Sequence, residues 1–397
     1  MFAAGDPVKQ AELLRPDSVR VWGVKAVRER LSWYYEVMRG KAPAKFVIAK
    51  AVDAHVSPEE VVRGCSDGRD AVKELVRIHE RLKDDFHRMW RDVREAGKPW
   101  KVIKGLKPKN SFLDLKAALA KALATPCRLC ERRCGVRRDA GEAGACRVAG
   151  LKACVDTYFH HMGEEAPLVP SGTIFYTGCN FRCVYCQNWS ISQPKEPVGG
   201  EGCLSAEDLA NIQEWLRVTG ARNVNHVGGD PTPYIPVIVE SLRYLRVSAP
   251  QLWNSNMYLT PEAMDIIEDL IDIWLPDLKY GRDECALKYS GVPRYVEVVR
   301  RNILRASKHG DMIVRHLVLP GHVGCCSKPS IEWLAREVPS AVLNIMDQYH
   351  PDYLVGVGGR FKELDRRVDY EEFEEALRAA REAGYEGPYE DLWVIPP

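Results

Sequence analysis

Residues 173–186 read TIFYTGCNFRCVYC, a short β-branched and aromatic run that leads directly into three cysteines. The run predicts a buried strand, and the loop after it has a C-x3-C-x2-C spacing formed by Cys179, Cys183 and Cys186. Three thiolates in one loop can hold three irons of a [4Fe–4S] cluster and leave the fourth iron open for a small molecule. A structural zinc site needs a fourth ligand, and Cys203 lies 17 residues beyond Cys186, so the spacing favours the cluster.

Outward from this loop, β-rich runs alternate with helical stretches. Such alternation predicts an α/β fold with a parallel sheet, either doubly wound or a partial (β/α)6 barrel, in which chemistry gathers at the carboxyl ends of the strands. The predicted strands are 173–177, 223–227, 252–259, 273–279, 312–319 and 341–348. The predicted helices lie near 205–218, 234–246, 261–270, 294–308, 329–337 and 370–383.

Two motifs at these strand ends resemble those of a known family. The cysteine loop, with Tyr185 just before its last cysteine, resembles the signature of radical S-adenosylmethionine (SAM) enzymes. The loop Gly228-Gly229-Asp230-Pro231 is similar to the family's glycine-glycine-acid-proline loop, which holds the SAM amino group, with Asp in place of the commoner Glu. The resemblance covers residues 171–350 and implies a partial (β/α)6 radical SAM barrel that binds a [4Fe–4S] cluster and SAM.

Further strand ends resemble the branch of glycyl-radical-enzyme activating enzymes, of which the pyruvate formate-lyase activator is the best-known kind. The resemblance implies that these positions contact SAM: Asp277 and Lys279 in an Asp-x-Lys motif, Arg315 in an Arg-x-x-x-x-Pro-Gly stretch, His350 in a tyrosine-histidine pair, Asn254 and Asn256 at the ribose, and Tyr185 against the adenine. A structural role under the loop is the alternative for Tyr185.

The resemblance also implies the reaction. SAM would chelate the open iron, and an electron from the reduced cluster would cleave it into methionine and a 5′-deoxyadenosyl radical, which abstracts a hydrogen atom from a substrate. This is the chemistry of an oxidoreductase of the activating-enzyme type. It requires an electron donor of the ferredoxin or flavodoxin type and allows a protein substrate.

A second cysteine cluster precedes the first strand. Cys127, Cys130, Cys134 and Cys146 form a C-x2-C-x3-C-x11-C pattern, which predicts a closed site for either a second [4Fe–4S] cluster or a structural zinc ion. The segment is similar to one in an uncharacterised branch resembling the pyruvate formate-lyase activator. Known glycyl-radical activators with extra clusters usually carry them after the SAM-binding loop, so this position argues against glycyl-radical activation.

The composition is that of a globular protein whose charge is divided unevenly. The 397 residues include 56 Lys and Arg against 55 Asp and Glu, yet the first 150 residues carry a net charge of +12 and the rest −11. Complementary charges at an interdomain contact explain this division at least as well as a nucleic-acid surface does. We predict four parts: a helical domain over 1–125, a cysteine-rich segment over 126–170, the barrel over 171–350, and a C-terminal helix and tail over 351–397.

No apolar run reaches the length of a membrane span and no secretory signal stands at the N-terminus, so a cytoplasmic protein without membrane partners is expected. Two other function classes stay open. One is a modifying enzyme whose RNA or peptide substrate docks on the basic half, with RNA the less favoured; the other is a non-catalytic electron-transfer scaffold. The histidine and glutamate pairs at 160–161 and 164–165 are expected to be solvated, with a place at the active-site entrance as the alternative. Cys325 and Cys326 are expected to be buried as small apolar side chains.

Overall fold

The computed structural model describes residues 7–65, 68–357 and 359–396, and a nine-stranded sheet lies at its centre. The strands are β1 (Val155–His161), β2 (Ser171–Tyr176), β3 (Val224–Gly228), β4 (Gln251–Ser255), β5 (Ile273–Pro276), β6 (Asp311–Leu317), β7 (Val342–Met346), β8 (Glu386–Tyr389) and β9 (Leu392–Val394). Their order across the sheet is β1-β2-β3-β4-β5-β6-β7-β9-β8.

Strands β2 to β7 are the six predicted strands, and each pairs in parallel with the next one along the chain. A doubly wound sheet reverses its strand order at a switch point, so this sequential order excludes that alternative. The sequence therefore predicted the parallel sheet correctly, and all six strand ends meet at one edge.

Three antiparallel strands were not predicted: β1 and β8, which are the two edges of the sheet, and β9, which lies between β7 and β8. Strand β1 pairs with β2 and is mostly exposed, so it lacks the alternating apolar pattern that marks a half-buried strand. Strand β8 contains Gly387 and Pro388, two residue types depleted in strands. These strands form because they pair with a neighbour, a contact that local sequence does not display.

Helices follow the parallel strands as predicted. They are α10 (Trp189–Ser192), α11 (Ala206–Val218), α12 (Ile235–Tyr244), α13 (Pro261–Ile267), α14 (Asp283–Ser290), α15 (Tyr295–Ala306), α16 (Lys328–Glu337) and α17 (Tyr370–Glu382). A capping box starts α11, in which Ser205 accepts a hydrogen bond from the Asp208 backbone and the Asp208 side chain accepts one in return. The short helices α10 and α14 were not predicted.

The described residues between 7 and 125 are mostly helical, as expected. Their helices are α1 (Pro7–Leu14), α2 (Asp17–Arg20), α3 (Lys25–Arg30), α4 (Ser32–Met38), α5 (Lys45–Ala51), α6 (Pro58–Gly64), α7 (Gly68–Glu95), α8 (Pro99–Val102) and α9 (Phe112–Leu123). A serine caps α6, since the Ser57 side chain accepts a hydrogen bond from the Glu60 backbone.

Buried ion pairs join these helices to the other half of the chain. Lys116 on α9 lies 3.0 Å from Asp269, and neither side chain is exposed. Lys83 on α7 lies 2.7 Å from Glu268, and the Lys45 backbone donates to Asp272. The apolar core also runs without a break from α5, α7 and α9 into the sheet. Complementary charge between the two halves therefore has direct structural support; the four domain boundaries stay a prediction.

Two further features concern cysteines and membranes. Cys154 and Cys203 form a disulfide, which joins the start of β1 to the segment before α11 and which the sequence analysis did not predict. Among the described residues, none of the helices combines the length and apolar character needed to cross a membrane.

Candidate functional site

A cavity of about 390 Å³ opens at the carboxyl ends of the parallel strands. Residues from the loop after β2 and from the ends of β3 to β6 line it. The predicted site residues in its lining are Cys179, Cys183, Tyr185, Cys186, Gly228, Gly229, Asp230, Asn254, Asn256, Asp277, Lys279 and Arg315. Predicted residues from five separate places in the sequence thus meet in one cavity, because parallel strands end at the same edge of the sheet.

Each sulfur of the three-cysteine loop has a hydrogen-bond partner. The Phe181 backbone N–H donates to Cys179 Sγ over 3.4 Å. The hydroxyl of Ser290 lies 3.0 Å from Cys183 Sγ, and the hydroxyl of Ser192 lies 3.1 Å from Cys186 Sγ. Burial raises the pKa of the Cys179 and Cys183 thiols, whereas an N–H or hydroxyl that donates to sulfur favours the thiolate, which is the form that binds metal. The donor set therefore fits a thiolate-held cluster.

The two glycines at the end of β3 let the chain approach the cysteine loop closely. A Cβ on Gly229 would lie 2.1 Å from the Gly178 carbonyl oxygen, and Gly228 has a φ of +115°. The Gly229 N–H donates to the Tyr176 carbonyl, and the Asp230 N–H donates to that of Gly178. The glycines thus hold the end of β3 against the residue that precedes Cys179.

The Asp230 carboxylate is engaged by protein donors. The backbone of Thr232 donates to one oxygen over 2.9 Å, while the Ser255 hydroxyl and the Asn256 backbone donate to the other over 2.9 and 3.0 Å. Burial nevertheless raises the pKa of Asp230, since the group is only 2% exposed. Asp230 therefore orders the loop as well as lining the cavity.

Lys279 supplies a fixed positive charge. Its ammonium lies 2.8 Å from the Asp277 carboxylate, and its backbone N–H donates to the Tyr295 hydroxyl over 2.7 Å. Burial alone would lower the pKa of Lys279, but the neighbouring Asp277 raises it above the ordinary value. The amine is therefore protonated in the cavity and suits a carboxylate ligand.

Arg315 on β6 forms a buried ion-pair cluster with Glu164 and Glu165. Its guanidinium contacts the Glu164 carboxylate and lies 2.6 Å from that of Glu165. Burial would raise the pKa of Glu164, but Arg315 and His161 beside it lower that pKa to about 2. The expectation that these glutamates are solvated is wrong: both are 6% exposed, and Glu164 and His161 line the cavity.

The three asparagines at the site differ in their contacts. Asn256 donates to the Asn180 side chain over 2.7 Å and lies against Cys179 Sγ. The side-chain amide nitrogens of Asn254 and Asn180 are buried without a hydrogen-bond partner. Because an unpaired buried donor is costly, Asn254 in the cavity wall is set up to donate to a polar ligand.

Tyr185 and His350 were both predicted to contact SAM, and the structure places them differently from each other. The Tyr185 hydroxyl lies 2.6 Å from that of Tyr280, and its ring meets Tyr349 edge to face, so the side chain is anchored while it lines the cavity. His350 is outside the cavity lining, and its ring is 3.3 Å from the Pro351 carbonyl. Strand β7 ends at Met346, and the chain then contributes Gln348 to the cavity instead.

The segment that contains the four upstream cysteines lies directly beside the three-cysteine loop. Arg138, which is 2% exposed, donates to Cys127 Sγ over 3.3 Å and to Cys146 Sγ over 3.2 Å. A Cβ on Gly178 would lie 2.7 Å from the Cys146 carbonyl, so the two cysteine segments touch through their backbones. Burial would lower the pKa of Arg138, but the sulfurs of Cys146 and Cys127 raise it.

Sequence reasoning missed several residues in the cavity wall. They are Phe175, Gln187, Asn188, Gln193, Val227, Leu317, Met346 and Gln348. Gln187 and Asn188 directly follow Cys186, so proximity in sequence was a usable signal for them. Glu164 carried no such signal, because its partner Arg315 lies 151 residues away.

Comparisons with known proteins locate the chain among its relatives. A family model described as the radical SAM superfamily matches residues 173–333. The chain is 38% identical over 356 residues to the uncharacterized protein MJ0674 of Methanocaldococcus jannaschii, a match covering 88% of this chain and 97% of that protein.

Two solved structures also resemble it. One is the structure of TYW1 with a lysine-pyruvate adduct bound, at 15% identity and a TM-score of 0.36 over 56% of this chain and 79% of that chain. The other is SuiB of Streptococcus suis bound to S-adenosylmethionine, at 12% identity and a TM-score of 0.37 over 51% of this chain and 44% of that chain.

Proposed function

The chain belongs to the radical SAM superfamily, and we propose that its cavity binds SAM beside a [4Fe–4S] cluster held by Cys179, Cys183 and Cys186. When bound, the cluster supplies the electron that cleaves SAM into methionine and a 5′-deoxyadenosyl radical, which takes a hydrogen atom from the substrate. One observation carries the proposal: the cysteine, glycine and lysine motifs, which are far apart in sequence, line the same cavity.

The other residues of the cavity bind and orient SAM in this proposal. The ammonium of Lys279 meets the carboxylate of SAM, since it is the fixed cation of the site. The unpaired amide of Asn254 donates to a polar group of the ligand. Tyr185, held by its hydrogen bond to Tyr280, excludes water from one wall. In the same proposal, the six parallel strands β2 to β7 are those of a partial (β/α)6 barrel.

We also propose that the upstream cysteines hold a second [4Fe–4S] cluster rather than zinc. Backbone contact between the two cysteine segments suits electron relay from a ferredoxin or flavodoxin. A relay needs a redox-active centre, and zinc is not redox-active.

The size of the cavity indicates where the substrate binds relative to SAM. At about 390 Å³ it lies at the lower end of the range for small-molecule sites, so SAM would fill most of it. The substrate then has to present its reacting carbon from outside the cavity, as a segment of another protein does. This supports a protein substrate and activating-enzyme-like chemistry.

A modifying enzyme that acts on RNA is the second candidate. A groove of about 660 Å³ next to α8 is lined by Trp100, Arg243 and four lysines, namely Lys50, Lys101, Lys104 and Lys107. Basic and aromatic side chains together suit a single-stranded nucleic acid. RNA binding that weakens steeply between about 50 and 200 mM salt supports this candidate, and binding that ignores salt rejects it.

Anaerobic reconstitution followed by dithionite and SAM tests the main proposal. The wild-type protein should form 5′-deoxyadenosine, while Cys183→Ala should form none and Lys279→Met far less. Cys65→Ala, which changes a cysteine outside both motifs, should match wild type. A protein that binds a cluster but forms no 5′-deoxyadenosine above background would be a scaffold, and the proposal would fail. About eight irons per chain indicates two clusters, and about four irons with one zinc at the upstream cysteines rejects the second cluster.

A further inference from the structure

Two cysteines and a histidine outside both cysteine motifs form a third cluster. Cys285 lies on α14, after β5, and Cys325 lies in a π-helical turn (Val323–Ser327) after β6. Their sulfurs are 4.0 Å apart, and one ring nitrogen of His322 lies within 4.8 Å of both. Cys326 is next to this group, with its sulfur 3.8 Å from that of Cys325. Residues from two strand ends thus converge.

The spacing matches a zinc site. Two thiolates on a tetrahedral zinc ion are about 3.8 Å apart, close to the 4.0 Å between Cys285 and Cys325. Thiolate and imidazole ligands together favour zinc among the common divalent ions.

The histidine is held in the tautomer that binds metal. His322 Nδ1 lies 2.6 Å from the Pro320 carbonyl oxygen, and since a carbonyl only accepts, Nδ1 carries the proton. Nε2 is then the nitrogen that can bind a metal. The Tyr289 hydroxyl, which donates to Glu363 over 2.8 Å, lies 3.1 Å from Nε2 and can accept from it only when Nε2 carries a proton; a metal ion at Nε2 would replace that proton. A metal-binding histidine commonly donates its other N–H to a backbone carbonyl in this way.

Close backbone packing holds the three candidate ligands in place before any metal binds. A Cβ on Gly281 would lie 2.7 Å from the Cys325 carbonyl oxygen and 2.9 Å from that of Cys326, so only glycine lets the two segments approach. The Cys326 N–H donates to the His322 carbonyl over 2.8 Å, which closes the turn. Cys285 and Cys325 are half-buried, so an ion can reach them from solvent.

We propose that Cys285, His322 and Cys325 bind a zinc ion, with the fourth position taken by a water molecule. The ion would join α14 to the turn after β6. Helix α14 carries Ser290, whose hydroxyl contacts Cys183 Sγ, and the Tyr289 carbonyl accepts from the Val184 backbone. The zinc would therefore support the wall of the SAM cavity from behind.

Zinc and iron counts per chain test this proposal on the full-length, anaerobically purified protein. Cys285→Ser and Cys325→Ser should each hold about one zinc less than wild type, with the iron count unchanged. Cys65→Ser is the matched control and should keep the wild-type zinc count. The comparison is a difference between variants, so it holds whichever metal occupies the upstream cysteines. Variants that keep all the zinc overturn the proposal.

A second measurement needs no variant. In the wild-type protein, alkylation of Cys285 and Cys325 followed by peptide mass spectrometry should be slow, and should become fast after a zinc chelator is added. Equal rates with and without the chelator overturn the proposal, as does a Cys285–Cys325 disulfide in protein isolated without oxidant. These readouts do not depend on 5′-deoxyadenosine formation, so the zinc site and the proposed SAM chemistry fail or succeed separately.

Discussion

Replacing Gly229 by alanine would drive a methyl group into the backbone that precedes the three-cysteine loop. The new Cβ would lie 2.1 Å from the Gly178 carbonyl oxygen and 2.7 Å from its carbon. Ordinary contact between such atoms requires about 3.5 Å, so one backbone segment must move by more than about 1 Å. Gly178 is bonded to Cys179, and its carbonyl accepts the Asp230 N–H, so the movement disturbs the cysteine loop and the Asp230 loop together.

This displacement should lower both the stability of the protein and its rate of SAM cleavage. Overpacking of a buried site costs about 1–3 kcal/mol, so we expect Gly229→Ala to lower the free energy of unfolding by about 2 kcal/mol. A displacement of about 1 Å at a reacting centre can slow a reaction by about 100-fold. We therefore expect 5′-deoxyadenosine formation to fall by about that factor, with SAM affinity weakened as well.

The assay combines urea unfolding, iron content and 5′-deoxyadenosine formation on the reconstituted protein. Gly64→Ala is the matched control, because a Cβ there has no atom within 4 Å and Gly64 is the last residue of α6. That variant should be unchanged or more stable by up to about 1 kcal/mol, with full activity. If Gly229→Ala keeps wild-type stability, iron content and SAM cleavage, the close approach of the two loops is refuted.

Three further predictions concern buried charges. Burial would raise the pKa of Glu268, but its hydrogen bond from Arg305 lowers it to about 2. The stabilisation, about 3 kcal/mol, is present above the unfolded value near 4.5 and is lost as pH falls toward 2, so Glu268→Gln should be less stable at pH 7 and approach wild type in acid. Lys116→Met removes the ammonium that lies 3.0 Å from Asp269 and leaves that carboxylate with His87 at 2.9 Å, so it should cost about 3 kcal/mol in urea unfolding, the lower end for a broken buried pair. Arg138→Met removes two hydrogen bonds to sulfur and should lower the reduction potential of the second cluster that we propose at the upstream cysteines, as measured in an EPR-monitored titration.

Each of these predictions has a matched control or an outcome that contradicts it. A pH-independent stability difference for Glu268→Gln would mean that the carboxylate is not held ionised by Arg305. Lys73→Met changes a lysine that is 81% exposed and should alter stability by less than about 0.5 kcal/mol. Arg137→Met changes a neighbouring exposed arginine and should leave the potential unchanged. An equal shift in both arginine variants would contradict the role given to Arg138.

Local sequence was sufficient for the parallel strands and the three-cysteine loop, and the family resemblance indicated most of the other cavity residues. The six strands carry buried apolar runs, and the motifs at their ends stand at the one edge where parallel strands place them. The edge strand β1 was missed because exposed residues give it no apolar alternation. The family resemblance implied that His350 lies in the site, but the chain brings Gln348 there instead.

Contacts between distant residues could not be predicted. Glu164 and Glu165 look like solvated loop residues until Arg315, on a strand about 150 positions later, is placed beside them. The same holds for the disulfide between Cys154 and Cys203 and for the group formed by Cys285, His322 and Cys325. In each of these cases, at least one of the residues in contact lies far from the others in the sequence.

The sequence by itself determined the fold class, the three-cysteine loop and the chemistry that three thiolates and a glycine-rich strand end support. These depend on periodicity and on residues a few positions apart. Such short-range patterns are visible in the sequence without knowledge of the folded structure. Only the tertiary structure decided which charges are neutralised, which amides are left free for a ligand and which remaining cysteines meet. Those outcomes depend on distances between separate strand ends, and packing of the whole sheet sets these distances.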